Sequence, residues 1–176
     1  MSLLNITFLN DAINGEGLLE TDAIFNYVRQ RLIDHISKDG AKDGMDGILL
    51  RFDRRNNSYT YSAALSKPVI VRNGEIIELT CDKMPVGQGE RQQPFSRFSI
   101  DHQPGDYLFL FSDGFADQFG GPRGKKFKYR PLYQTLAEGI HLSPEEQAKR
   151  LDHVFTEWKG DLEQIDDVVV AGIRLN

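Results

Sequence analysis

The residues best suited to chemistry are acids placed at the ends of apolar runs. Asp113 sits in Ser112-Asp113-Gly114, directly after Tyr107-Leu108-Phe109-Leu110-Phe111. Asp166-Asp167 directly precedes Val168-Val169-Val170-Ala171-Gly172-Ile173, and Asp117 lies one helical turn beyond Asp113. Carboxylates with no thiol or imidazole beside them suit hard cations such as Mg²⁺ or Mn²⁺, with water completing the shell. The glycine next to Asp113 lets a second group approach the backbone closely. Ser, Asp and Gly are also ordinary turn formers at strand ends. Which role applies depends on where the strands bring these acids.

The run Tyr107–Phe111, preceded by Pro104-Gly105-Asp106, predicts a strand buried on both faces. Ile165–Ile173 predicts acids at the entrance to a buried final strand. If the two pair antiparallel, the exit of one lies beside the entrance of the other, which brings Asp113 and Asp166 within reach of one ion. Upstream, Leu4, Phe8, Leu9, Ala12 and Ile13 recur at helical spacing up to Asn14-Gly15-Glu16-Gly17. Thr21 is read as the cap of a second helix striped by Ile24, Val28, Leu32 and Ile36, and Lys38–Gly44 as its break.

Two hairpins are expected next. Ile48–Phe52 returns as Tyr59–Ala63, and Val69–Val71 returns as Ile76–Leu79 across Arg72-Asn73-Gly74-Glu75, whose Asn-Gly step favours a tight turn. Phe95–Ile100 alternates like a half-buried strand. Gln118–Lys128, rich in Gly, Lys and Arg, reads as a flexible flap beside the acids. Leu132–Ile140 gives a short helix. Ser143-Pro144-Glu145-Glu146 opens a longer one, with Ala148, Leu151, Val154, Phe155 and Trp158 on its buried face and Gly160 at its end.

At 176 residues, a single domain burying roughly 70% of its unfolded surface is expected over residues 4–176, with 1–3 as an expression leader. The excess of 26 acidic over 21 basic residues, and the lack of a basic stripe interleaved with aromatics, argue against a nucleic-acid surface. Cys81 is the one cysteine, so no internal disulfide forms. No apolar segment reaches the ~18 residues of a membrane helix or has the flanks of a signal peptide. These features point to a cytoplasmic protein without a membrane partner.

Taken in order, Asp43-Gly44-Met45-Asp46, the hairpins, Asp82-Lys83-Met84-Pro85-Val86-Gly87, the Pro104–Gly114 stretch, the long helix and Asp166-Asp167-Val168 resemble the SpoIIE-type branch of the metal-dependent protein phosphatases. That branch is related to protein phosphatase 2C, and the resemblance is to its C-terminal part. Each motif is short, and their order over nearly the whole chain carries the likeness. The resemblance implies an α+β fold: a layered α-β-β-α sandwich of two antiparallel sheets flanked by helices, truncated at the N-terminus. It implies a site for Mn²⁺ or Mg²⁺, two ions when complete, with Asp113 and Asp166 as ligands and Gly114 adjacent through its backbone. Asp117 resembles an acid that helps hold a third metal, with Asp43 or Asp46 near it.

The implied reaction is hydrolysis of phosphoserine or phosphothreonine on a regulatory partner protein in bacterial signalling, typically an anti-sigma-factor antagonist. A metal-activated water attacks phosphorus in line, so no protein nucleophile is required. Arg123, Lys125 and Lys126 are expected to guide the phosphoprotein by charge.

The chain departs from the family pattern in three places. It has no Gly-Asp-x-x-Asp motif to supply a bridging carboxylate, since Gly105-Asp106-Tyr107 belongs to the turn before the central strand. Leu65-Ser66-Lys67-Pro68 replaces a polar Asn or His-Pro step, and Val169 replaces a Thr. Asp113 and Asp166 are therefore expected to form half a site with poor metal affinity. Two readings follow: part of a genuine phosphatase, or a non-catalytic module of the same fold that binds phosphoproteins. Loss of N-terminal strands would bare a sheet edge, from which a homodimer is expected.

Overall fold

The computed structural model describes residues 2–36 and 44–176. Asp43, and the Lys38–Asp43 part of the expected break, lie outside the described residues. In chain order the first elements are α1 (Ser2–Asn10), a π-helical turn (Asp11–Gly15), α2 (Thr21–Ile36), β1 (Gly44–Met45), β2 (Gly47–Asp53) and β3 (Ser58–Ala64). Then come β4 (Val69–Arg72), β5 (Glu75–Glu78), β6 (Val86–Gly87), β7 (Phe98–Ser99), β8 (Tyr107–Phe111) and α3 (Gly114–Asp117). The last are β9 (Phe119–Gly120), β10 (Lys125–Lys126), α4 (Tyr129–Gly139), α5 (Pro144–Lys159) and β11 (Val170–Arg174). The chain divides into two compact units, Met1–Lys67 with Thr80–Asp101 and Pro68–Leu79 with His102–Asn176. Every named strand pair is antiparallel, as the α+β reading requires. Among the described residues no helix is long and apolar enough to cross a membrane.

In the first unit, Ile24, Val28 and Leu32 form the buried stripe of α2 and meet Phe8 and Ala12 in one core. Thr21 is not the cap. The Glu20 carbonyl already accepts from the Ile24 amide at 3.0 Å, which places Thr21 inside the first turn. Its buried hydroxyl instead accepts from Ser62 Oγ at 2.9 Å. The sheet runs β2-β3-β7, with Leu50 opposite Tyr61. The strand expected over Phe95–Ile100 shortens to Phe98–Ser99 because side chains take the preceding amides. Phe95 N donates to Asn26 Oδ1 at 3.0 Å and Ser96 N to Asp82 Oδ2 at 2.8 Å. Asp46 is exposed between β1 and β2.

In the second unit the sheet order is β11-β8-β4-β5. β8 is internal, and both of its faces are covered: Leu108 is 0% exposed on one and Phe109 2% on the other. Asn73 and Gly74, at φ 51° and 81°, make the tight turn that their sequence favours. Val69, Val71, Phe109 and Phe111 share a core with Leu132 and Leu136 of α4 and Phe155 of α5. A reciprocal capping box opens α5: Ser143 Oγ accepts from Glu146 N at 3.3 Å, and Glu146 Oε2 accepts from Ser143 N at 2.9 Å. Gly160 closes the helix at φ 52°.

Three sequence expectations fail in this unit. Ala148 is exposed, and its neighbour Gln147 is buried instead, with Nε2 donating to the Leu142 carbonyl at 3.0 Å. The final strand begins only at Val170 and is an edge strand with Ala171, Gly172 and Arg174 exposed, because among the described residues no further strand lies beyond it in that sheet. The segment read as a flap is the β9–β10 hairpin, with Lys125 opposite Gly120. It is seated against α5, since Gly121 N donates to the Trp158 carbonyl at 2.7 Å and Phe127 packs edge-on to the Trp158 ring.

Candidate functional site

The site is built where β8 ends and β11 begins. The ladder sets Val170 opposite Phe111, and hydrogen bonds extend it past the last paired residues. Ser112 N donates to the Val169 carbonyl at 3.0 Å, Ser112 Oγ donates to the Asp167 carbonyl at 2.8 Å, and Val169 N donates back to Ser112 Oγ at 3.0 Å. Gly114 completes the contact: a Cβ there would lie 2.4 Å from the Asp167 carbonyl oxygen. The Ser-Asp-Gly step is thus held to Asp167 and Val169 by the Ser112 hydroxyl, the Ser112 amide and the close approach of Gly114, so Asp113 and Asp166 belong to the same end of the sheet.

The three acids differ in their present engagements. Asp113 stands at the N-cap of α3, yet its exposed side chain makes no capping hydrogen bond. A purely turn-forming aspartate would ordinarily use that bond. Asp166 is exposed, and its Oδ1 accepts from Asp167 N at 2.7 Å. Asp117 Oδ2 accepts from Lys126 Nζ at 2.8 Å, so one of the three cations expected to guide substrate is paired with the acid expected near a third metal. Arg123 and Lys125 are exposed on the β9–β10 hairpin.

The donor types at this end of the sheet suit a hard cation, being carboxylates rather than thiols or imidazoles. Donor number does not complete one. Among the described residues, no group of three or more His, Cys, Asp or Glu side chains gathers to hold a metal.

Residues 12–176 match the family model for stage II sporulation protein E (SpoIIE). The chain belongs to the SpoIIE family. Solved structures agree on the fold. The SiaA-PP2C domain of Pseudomonas aeruginosa is 25% identical, with a TM-score of 0.87, over 99% of this chain and 68% of that one. The PPM Ser-Thr phosphatase MsPP of Mycobacterium smegmatis, solved in complex with cacodylate, is 16% identical at a TM-score of 0.65, over 99% of this chain and 82% of that one. The PP2C phosphatase domain with a fragment of the regulatory domain of SpoIIE from Bacillus subtilis is 19% identical at a TM-score of 0.71, over 97% of this chain and 48% of that one. No curated protein matches the sequence. The chain is therefore a PP2C-like phosphatase domain of the SpoIIE type, as its motif order implied.

Sequence reading did not single out Gln118 or the Ser112 side chain. Ser112 lay inside a recognised triplet, but its bonds reach 55 and 57 positions along the chain. Gln118 carried no periodic or motif signal, although it is wholly buried between Asp117 and Phe119.

Proposed function

We propose that this domain acts as a metal-dependent serine/threonine phosphatase on a phosphorylated regulatory protein of the anti-sigma-factor-antagonist type, with Asp113 and Asp166 as its metal ligands. The observation that carries the reading is the hydrogen-bonded lock between Ser112-Asp113-Gly114 and Asp167–Val169 at one end of β8 and β11. Mn²⁺ or Mg²⁺ held there would acidify water and neutralise phosphoryl oxygens. The chain's own contribution is orientation. Ser112 fixes the acidic segment, the buried Gly114 keeps the two backbones in contact, and Asp113 keeps its carboxylate free of a cap bond. Arg123 and Lys125 supply exposed positive charge on the neighbouring hairpin, suited to steering a phosphoprotein.

Mn²⁺ titration followed by water-proton relaxation tests this reading. Asp113→Asn and Asp166→Asn are each expected to weaken binding at least about tenfold, because each removes a carboxylate donor. Equal binding by wild type and both variants would remove these residues from the site. The absence of a three-acid cluster among the described residues favours a second reading, a phosphoprotein-binding module without catalysis. Hydrolysis of a phosphoserine peptide with Mn²⁺ decides for the enzyme; binding of the peptide without release of phosphate decides for the module.

The exposed edge of β11 also supports self-association of this chain as a homodimer. Light scattering across a concentration series is expected to show a rising mass, and a constant monomer mass would end this part of the reading.

A further inference from the structure

We propose that Gln118 is a positioning residue that holds the Asp166 loop against the Asp113 turn; this rests on the metal-site reading above. The segment from 161 to 167 is exposed at every residue and forms no ladder, so burial does not place it. Hydrogen bonds must. One tie is Ser112, on Asp167 and Val169. A second is Gln118, whose Nε2 donates to the Glu163 carbonyl at 2.9 Å and to the Phe119 carbonyl at 3.0 Å; at its start the segment is also tied to the end of α5, where Leu162 N donates to the Lys159 carbonyl at 3.1 Å. Asp166 lies between the two pinned positions, Glu163 and Asp167.

Gln118 is suited to this work by its own anchoring. It follows α3 directly, and Asp117 N donates to the Asp113 carbonyl at 2.9 Å, so one helical turn joins it to Asp113. Its backbone carbonyl accepts from the Trp158 indole at 3.0 Å and from Phe127 N at 2.9 Å. The side chain is 0% exposed, and its Oε1 has no hydrogen-bond partner among the described residues. An unsatisfied buried acceptor is unfavourable, and an apolar side chain of the same length would avoid it. What the amide supplies and the apolar side chain does not is one neutral nitrogen with two donors, bridging two carbonyls in a water-poor position.

The test is Gln118→Met, close in volume and without donors. Hydrogen exchange by mass spectrometry is expected to accelerate at least about tenfold across 161–169, while exchange over Leu108–Phe111 stays as in wild type. Mn²⁺ affinity is expected to fall by about 10- to 100-fold, the usual effect of removing a group that orients a ligand. Unchanged loop exchange overturns the proposal, and so does faster loop exchange with unchanged Mn²⁺ affinity, which would make Gln118 structural only. Asp113→Asn run in parallel separates the premises: full Mn²⁺ affinity in that variant sinks the metal-site reading, whatever Gln118 does to the loop. A measurement on wild type covers failure of the Met variant to fold. The Gln118 side-chain amide protons are expected to exchange slowly by NMR, and loss within the dead time overturns the tie.

Discussion

Gly114→Ala is expected to abolish measurable Mn²⁺ binding and to lower the unfolding free energy by about 2–4 kcal/mol, read by Mn²⁺ titration and urea denaturation. On propensity alone the change would stabilise. Gly114 is the first residue of α3, and alanine is favoured over glycine in a helix by about 1 kcal/mol. Space decides otherwise. The new Cβ would lie 2.4 Å from the Asp167 carbonyl oxygen, 3.0 Å from its carbon and 3.3 Å from Val168 Cγ2, where ordinary contact begins at 3.4 Å. The obstacle is backbone, so no side-chain rotation relieves it. Overpacking of this kind costs roughly 1–3 kcal/mol, and parting the segments also breaks the bonds from Ser112 to Asp167 and Val169, worth about 1 kcal/mol each. The variant keeps every carboxylate, so a loss of metal binding would come from geometry alone. An alanine variant as stable as wild type, with unchanged Mn²⁺ affinity, would show that the close approach of the two segments is not required.

What the sequence disclosed of this arrangement depended on how local the determining interactions are. The β8 strand was legible because its five consecutive apolar residues are too few for a core helix and are bounded by Pro-Gly-Asp and Ser-Asp-Gly, and the β4–β5 turn because Asn73-Gly74 takes positive φ at little cost. The opening of α5 was legible because its capping box closes within three residues. The antiparallel pairing of the two apolar runs was legible, and the register sets Val170 opposite Phe111. Less local choices left no trace. Phe95 and Ser96 leave the ladder for Asn26, 69 positions away, and Asp82, 14 away. The late start of β11 likewise reflects a serine hydroxyl substituting for a strand partner across 57 positions. A run of Val168–Ile173 looks like a core strand whether its outer edge is paired or bare, so composition alone could not separate the two. Asp117 and Lys126 were read as separate functional groups because nothing in their spacing reveals that a hairpin folds one onto the other.

Asp106→Ala is expected to lower the unfolding free energy at pH 7 by about 3 kcal/mol, although Asp106 has no part in the chemistry. Its side chain is 3% exposed and faces Arg72 in a forked pair, with Arg72 Nη2 donating to Oδ2 at 2.8 Å and Nε to Oδ1 at 3.1 Å. Gln103 N adds a third donor at 2.8 Å. Meanwhile the Asp106 backbone carbonyl accepts from Leu175 N at 2.8 Å, so this one residue links β4, the turn before β8 and the end of the chain. Removing one partner of a buried pair costs about 3–5 kcal/mol; the lower end applies because Arg72 is 22% exposed and is partly hydrated after the change. Burial by itself pushes the Asp106 carboxyl up, but the Arg72 hydrogen bonds, the Gln103 amide and the Arg72 charge together hold it below the usual carboxylate range. A carboxyl depressed in the folded state stabilises fully above its unfolded value near ~3.9, and that stabilisation is lost as pH falls through the lower folded value. Wild type is therefore expected to lose this contribution on acidification from about pH 5 to below pH 3, while the alanine variant shows a shallower decline over that range. Urea unfolding of both proteins at pH 7 and pH 3 measures the difference. A gap between wild type and variant that stays constant with pH would mean that ionisation of Asp106 adds nothing to stability beyond what its uncharged side chain contributes.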